Sequence, residues 1–383
     1  MITFWLCLAV TAAIGGTILC KLKKSPGQMG RKMVCLVGLG GGACLLSLSL
    51  FWGSVIFSLS CFLTCTFFSG QELLPVDQKA VLVTGSDSGI GHALCKHLDQ
   101  LGFTVFAGVL NAQGSGAEEL RRTCSKHLTV LQLDITVPEQ IKDAYSKVVE
   151  KVQNKGLWAV INNAGVFCLP GDGELIPMKG YTQCMAVNFF GAVEITKAFL
   201  PLLRKSKGRL VNVSSMAGGV PISWMAAYSS SKAALTMFSS VMRQELSKWG
   251  VKVSVIQPGA FKTNILGTSD MWNKMEKDIL DNLSPDVQED YGQDYILRLQ
   301  NCVKSMEQKA DSDLSPVLLD IQHAISSKSP CAFYSPGIFS FVCLCFINFI
   351  PTSIFDHFSQ KVFDFKEIMP RALRRSDWKN KAM

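Results

Sequence analysis

The sequence predicts an α/β fold, a doubly wound parallel sheet with helices on both faces, set behind N-terminal transmembrane helices. Short apolar runs alternate with helical stretches from residue 80 to about residue 260, the order expected when each strand is joined to a parallel neighbour by a crossover helix. The first of these runs passes directly into a glycine-rich turn and a periodic helix. Residues 2–20 and 34–69 contain no Asp, Glu, Lys or Arg. These observations divide the 383 residues into a membrane anchor over 1–70, one α/β domain over 75–325, and a C-terminal membrane-associated segment with a basic tail over 326–383.

Ala80–Thr84 reads as a short buried strand that runs into Gly85-Ser86-Asp87-Ser88-Gly89-Ile90-Gly91, with a helix beginning near His92. Strand, glycine turn and helix in that order make a phosphate cradle. The glycines let the backbone approach closely, and a helix N-terminus presents free N–H groups and a positive dipole. Phe103–Gly108 is the second strand and ends in Val109-Leu110-Asn111, and Asp134 stands in Leu-Asp-Ile-Thr. Leu157–Ile161 leads to Asn162-Asn163-Ala164-Gly165, Arg209–Val213 to Ser214-Ser215, and Val253–Gln257 to Pro258-Gly259. No internal repeat interrupts this order.

Tyr228-Ser-Ser-Ser-Lys232, with Ser215 thirteen positions before the tyrosine, carries the chemistry. A phenol is a poor base near neutrality, and bringing its pKa from about 10 to about 7 needs roughly 4 kcal/mol of preferential stabilisation of the phenolate. Residues at i and i+4 share a helix face about 6 Å apart along the axis, so the ammonium can stand beside the phenolate or reach a bound nucleotide. That pairing suits proton transfer to or from an alcohol or a carbonyl. Two common residues at helical spacing are weak by themselves, and a solvated helix face is the bland alternative.

The glycine spacing is G-x-x-x-G-x-G, which differs from the general G-x-G-x-x-G fingerprint. With Asn162-Asn163-Ala164-Gly165, Asn188 in Val-Asn-Phe-Phe-Gly, Ser215, Tyr228, Lys232 and Pro258-Gly259 in this order, residues 75–325 resemble the short-chain dehydrogenases/reductases, a Rossmann-like family. The resemblance implies that Tyr228 is the catalytic acid/base and that Lys232 lowers its pKa and holds the nicotinamide ribose. It makes Ser215 the group that orients the reacting oxygen and Asn188 the one that positions a proton-relaying water. Ser214 points to the other side if the strand continues, since side chains alternate there. By the same resemblance Gly85, Ser88, Gly89, Ile90 and Gly91 line the pyrophosphate, and Asn162, Ala164 and Gly165 support the sheet beside the adenosine. Pro258, Gly259 and Thr263 follow on the nicotinamide side. Asp134 is placed at the adenine, with an ordinary strand-end turn as the alternative. Family members often dimerise through the helix bearing the Tyr and Lys, here about 227–248, which implies a homodimer.

NAD is the favoured cofactor. A 2′-phosphate wants a basic residue, yet the slot that is basic in many NADP-dependent members holds Ser88, and Asp87 adds negative charge. Asn111 is the candidate ribose contact, in a place where many NAD-dependent members have a carboxylate.

A bilayer core of about 30 Å needs roughly 20 apolar residues as a helix, so 2–20 is long enough to span and 34–69 too long for one untilted crossing. No basic residue precedes the first run, which argues against a cleaved secretory peptide. Lys21, Lys23, Lys24, Arg31 and Lys32 form an acid-free connector that faces the cytosol by the positive-inside rule. One pass or two through 34–69 gives opposite sides for the α/β domain, and both stay open. Gly337–Ile350, bounded by Pro336 and Pro351, is short for a span and reads as an interfacial element dipping into the membrane. The net charge of +8 fits residence near anionic lipid. It makes no case for nucleic acid, because the lysines are scattered without stacking aromatics. Six of the 14 cysteines lie in the hydrophobic N-terminal part, and neither the remainder nor the five histidines form a ligand set, so no metal is expected. Lysines three and five places from the C-terminus resemble the dilysine signal of endoplasmic reticulum membrane proteins.

Within the family, Gly70 to Gly85, Phe106-Ala-Gly-Val-Leu110, Gly116 to Arg122, Gly156 to Gly165, Gln183 to Phe190 and the acidic Gln288-Glu-Asp-Tyr-Gly-Gln-Asp-Tyr295 resemble the membrane-bound 17-beta-hydroxysteroid dehydrogenases. That resemblance implies NAD-dependent oxidation of the 17-beta-hydroxyl of estradiol and testosterone, inactivating the hormones. The residues themselves indicate only a hydrophobic secondary alcohol. A membrane retinol dehydrogenase, or a non-catalytic scaffold of the same fold, stands as the alternative.

Overall fold

Val81, Leu82 and Val83 are fully buried, because the run that contains them is the centre of a sheet covered on both faces. The computed structural model describes residues 73–374 apart from 169, 267–268, 293, 296–297, 299–307, 309, 348–349 and 363–368. Its sheet contains β1 (Ala80–Thr84), β2 (Thr104–Val109), β3 (Leu128–Gln132), β4 (Ala159–Asn162), β5 (Arg209–Val213), β6 (Lys252–Ile256) and β7 (Phe333–Tyr334). The strands are parallel and run in the order β3-β2-β1-β4-β5-β6-β7. The order reverses between β1 and β4, so the carboxyl ends of those two strands flank a crevice, the place where open parallel sheets bind ligands.

The helices are α1 (Gly89–Gln100), α2 (Ser115–Thr123), α3 (Pro138–Val152), α4 (Met178–Met185), α5 (Ala192–Ser206), α6 (Ala226–Glu245), α7 (Ser269–Asn282), α8 (Pro285–Tyr291), α9 (Ser315–Ser326), α10 (Ile338–Phe346) and α11 (Thr352–Val362). Side chains alternate along β1, and the two layers follow from it. Val81 and Val83 pack with Leu94 and Leu98 of α1, Leu120 of α2 and Ile321 of α9. Leu82 packs on the other face with Val148 of α3 and with Ile195 and Phe199 of α5. Each fully buried side chain of this size contributes roughly 1.5–3 kcal/mol.

Met178–Ser206 is continuous through a π turn at Ala186–Gly191 and is long and apolar enough to cross a membrane. Ile195, Phe199 and Leu203 nevertheless face the sheet in the core, so this is an interior helix of the α/β domain. The anchor runs 2–20 and 34–69 and the terminal lysines lie outside the described residues.

Several boundaries differ from the sequence expectation, two of them, β2 and β6, by a single residue. The helix placed near His92 begins at Gly89, so two glycines of the turn lie in its first turn. Leu157 and Trp158 precede β4 and bond Leu202 and Ala80 instead. The sheet also continues past residue 325, because β7 pairs with β6. A two-residue strand is too short to show a period of its own. Of the apolar stretch near the C-terminus, α10 buries Cys343 and Leu344 against Met216 and Val220, buries Phe341 as well, and exposes Ile338, Phe339 and Val342.

Asp320 on α9 is 1 % exposed and neither carboxylate oxygen has a hydrogen-bond partner. Burial pushes its carboxyl up to about 8, while burial lowers neighbouring His323, bonded to Tyr334, to about 4. Between pH 4 and 6.5 the unfolded chain gains a proton at histidine and loses one at aspartate, so the two contributions oppose each other. Above 6.5 only the aspartate contribution remains, and the folded state weakens up to about pH 8. Asp320→Leu is therefore expected to remove a fall in Tm between pH 6.5 and 8, measured by thermal unfolding. An unchanged Tm profile in the variant would contradict the assignment.

Candidate active site

Gly85 and Gly89 have φ of +69° and +58°, the left-handed region that other residues enter only with strain. A Cβ on Gly85 would lie 2.7 Å from Ala164 Cα, and one on Gly89 would lie 3.2 Å from Thr263 Cβ. The loops after β1, β4 and β6 thus meet at the glycine turn. Ser88 is the N-cap of α1 in extended conformation, but its side chain makes no capping bond. The first N–H groups of α1 therefore stay available for an anion. Asn163 fixes the turn from the neighbouring strand, with Nδ2 donating to the carbonyls of Thr84 and Gly85 at 2.9 and 3.0 Å.

Asn162 is held at the sheet centre, donating to Asn212 Oδ1 at 2.8 Å and Thr196 Oγ1 at 3.0 Å. On the adenosine side, Asp87 accepts the N–H groups of Leu110 and Asn111 at 2.7 and 3.1 Å. Its charge is thus committed to the loop after β2. Asn111 is exposed, and its Oδ1 closes a turn with Gln113 N. Arg121 reaches the same loop, donating to Ala112 O at 2.8 Å. That cation is ten positions beyond Asn111, too far in sequence for spacing to connect it. Asp134 Oδ1 accepts both the N–H and the hydroxyl of Thr136, which is the turn alternative for that oxygen.

At the carboxyl end of β5 the two serines diverge. Ser214 is buried, donating to Lys232 O at 2.9 Å and lying 2.8 Å from Thr236 Oγ1. Ser215 accepts from Ala217 N at 3.2 Å, and its hydroxyl is close enough to the Tyr228 phenol to favour the phenolate. The extended backbone explains the split, since adjacent side chains face opposite ways. Pro258 joins this corner by accepting from Met216 N at 2.9 Å, and Gly259 N donates to Pro336 O at 3.2 Å.

Asn188 sits in the π turn, a distortion common at functional sites. Its Oδ1 accepts Val166 N at 2.8 Å, and Nδ2 donates to Val166 O and Ser231 Oγ, each at 2.9 Å. Lys232 is 2 % exposed and lies on the Tyr228 side of α6, as its spacing predicts. A Cβ on Gly165 would come within 3.2 Å of both Asn188 Oδ1 and Lys232 Nζ, so these three residues converge.

One expectation is corrected. Lys232 Nζ donates to Val213 O at 3.0 Å and stands 5.8 Å from the Tyr228 ring centroid. Burial, opposed by Ser215, pushes the phenol up to about 12, and burial pulls the ammonium down to about 8. In this geometry desolvation outweighs the cation, because the nitrogen faces a backbone carbonyl instead of the phenol. Sequence spacing also gave no sign of Phe167, whose ring meets Tyr228 edge-on with centroids 4.9 Å apart.

The profile of the family described as short chain dehydrogenase matches residues 79–274. The chain is 64% identical over 380 residues to human 17-beta-hydroxysteroid dehydrogenase type 2, covering 99% of this chain and 98% of that protein. It is 36% identical to human Retinol dehydrogenase 16, covering 75% of this chain and 89% of the relative. Among solved structures, a short-chain dehydrogenase from Streptomyces avermitilis superposes with a TM-score of 0.58 at 22% identity, covering 76% of this chain and 97% of the other.

Proposed function

The chain belongs to the short-chain dehydrogenase family, and from that membership we propose that it oxidises the 17-beta-hydroxyl of steroids with NAD, estradiol to estrone and testosterone to androstenedione. The observation that carries the chemistry is the convergence of Ser215 at the carboxyl end of β5 with a buried Tyr228 phenol, whose phenolate it favours. The steroid rests on likeness to the human 17-beta-hydroxysteroid dehydrogenase across nearly the whole chain. The weaker likeness to Retinol dehydrogenase 16 makes retinol the second reading.

The cradle fits a dinucleotide: crowded, left-handed glycines and an uncapped helix N-terminus leave room and donors for a pyrophosphate. Gly85, Ser88, Gly89, Ile90, Gly91 and Thr263 would hold the phosphates, with Asn162, Ala164, Gly165, Pro258 and Gly259 shaping the walls. Asn111 would contact the ribose, and Asp134 would contact the adenine. Bound NAD supplies the hydride acceptor. Tyr228 Oη takes the hydroxyl proton of the alcohol while Ser215 Oγ holds its oxygen. Lys232, positive below about pH 8, would hold the ribose. Asn188 has both amide hydrogens committed to protein, so a relaying water is held through its carbonyl groups.

The apolar runs 2–20 and 34–69 anchor the 75–325 catalytic domain to the endoplasmic reticulum membrane, and the 326–383 segment adds a lipid contact through Ile338, Phe339 and Val342 of α10. A homodimer forms through α6, where Met237 and Val241 are 66% and 45% exposed. Membranes carrying the full chain, given NAD with estradiol or retinol, should yield estrone. Oxidation of retinol with estradiol untouched would replace this reading by the second one.

A further inference from the structure

Three parts converge beside Tyr228: the loop after β4, the loop before α6, and a lid made of α7, α8 and Tyr295. Leu175, Ile176, Cys184, Trp224, Ala227, Ile279 and Tyr295 share one apolar cluster there, and Ala227 adjoins Tyr228 in the chain. Within it runs a polar thread. Trp224 packs with Tyr295 in that cluster, and Tyr295, 2 % exposed, donates its hydroxyl to Asp172 Oδ2. Trp224 also accepts Gly171 N on its carbonyl at 2.9 Å. A second tyrosine repeats the link, Tyr291 donating to Glu174 Oε2 at 3.2 Å with its ring 5.0 Å from that of Tyr295.

Trp224 has φ +70°, and a bulky side chain in the left-handed region is an outlier that persists only where its surroundings hold it. The residue is 9% exposed, its carbonyl is tied to Gly171 N, and its side chain packs in the cluster with Tyr295. Strain of this kind collects at ligand clamps.

We propose that Trp224, Tyr295 and Asp172 form a latch that fixes the lid over Tyr228 and so sets the dimensions of the alcohol site, acting as positioning residues for a rigid apolar substrate. The inference rests on the dehydrogenase reading for its substrate, though not for the latch itself. Tyr295 is the joint, because its ring packs with Trp224 while its hydroxyl donates to the carboxylate. Phenylalanine there keeps the ring in the cluster and removes the bond to Asp172.

The test compares full-length wild type, Tyr295→Phe and Asp172→Asn in membranes. Loss of the Tyr295–Asp172 hydrogen bond predicts a rise of about tenfold in KM for estradiol in Tyr295→Phe, with kcat and the KM for NAD near wild type. Asp172→Asn keeps an acceptor oxygen for Tyr295 and should recover most of the loss. Trypsin cleavage after the exposed Lys274 and Lys277 of α7 should accelerate about fivefold in Tyr295→Phe as local opening becomes easier. Unchanged cleavage overturns the latch. Faster cleavage with a wild-type KM for estradiol overturns the positioning role. Wild type that ignores estradiol refutes the substrate reading, while the cleavage comparison still decides the latch.

Discussion

Tyr228→Phe is expected to lower kcat for estradiol oxidation by about 10³-fold, within the range that a positioned general base contributes, while NAD still binds. The phenyl ring keeps the volume of a residue that is 8 % exposed and keeps its edge contact with Phe167. Only the group that receives the proton is lost. Steady-state oxidation and a direct NAD titration on the same membranes separate the two effects. Turnover like that of wild type would remove Tyr228 from the chemistry altogether. The pH profile gives a second view of the same group. A phenol held up to about 12 is increasingly ionised as pH rises, so kcat/KM for oxidation should climb from pH 6 toward 8. Above about 8 the Lys232 ammonium, lowered by burial, gives up its proton and the climb should flatten. The residual activity of Tyr228→Phe should lack that climb.

Gly91→Ala should damage both stability and cofactor affinity. A Cβ at Gly91 would stand 2.2 Å from Gly85 O and 2.5 Å from Asn163 Nδ2. Neither atom can yield cheaply: the first is backbone of the glycine turn, and the second is bonded to Thr84 and Gly85. Overpacking of a rigid site costs about 3 kcal/mol, so a clear drop in Tm and a rise of at least tenfold in the KM for NAD are expected. Gly102→Ala is the control. Gly102 has φ +91° but nothing within 4 Å of its Cβ position, so the variant should lose only about 1 kcal/mol of stability to backbone strain and bind NAD normally. Equal behaviour of the two variants would show that crowding at the turn is not what excludes a side chain from Gly91.

Strong local periodicity made most of the sheet readable. Ala80–Thr84 and Arg209–Val213 are strands at the predicted residues, because a centrally buried strand must be apolar along its whole length. The Ser214/Ser215 choice was equally readable, since alternation along an extended chain leaves one alternative. β7 was not, since two residues carry no pattern and its pairing with β6 comes from the far side of the lid. The charge around Asp87 escaped as well. Composition shows a carboxylate near the ribose, but only the fold shows it closing the loop at Leu110 and Asn111.

By itself the chain determined the α/β class, the order of strands and cradle, the family and the pairing of Tyr228 with Lys232 on one helix face. Each of these follows from contacts between neighbours in sequence or from motifs whose spacing is fixed by a turn or a helical rise. The tertiary structure alone decided that Lys232 faces Val213 O, that burial raises the phenol, and that Trp224, Tyr295 and Asp172 meet. Those outcomes depend on desolvation and on hydrogen bonds spanning up to 123 residues, and no local pattern encodes which distant group will arrive to shield or bond a side chain.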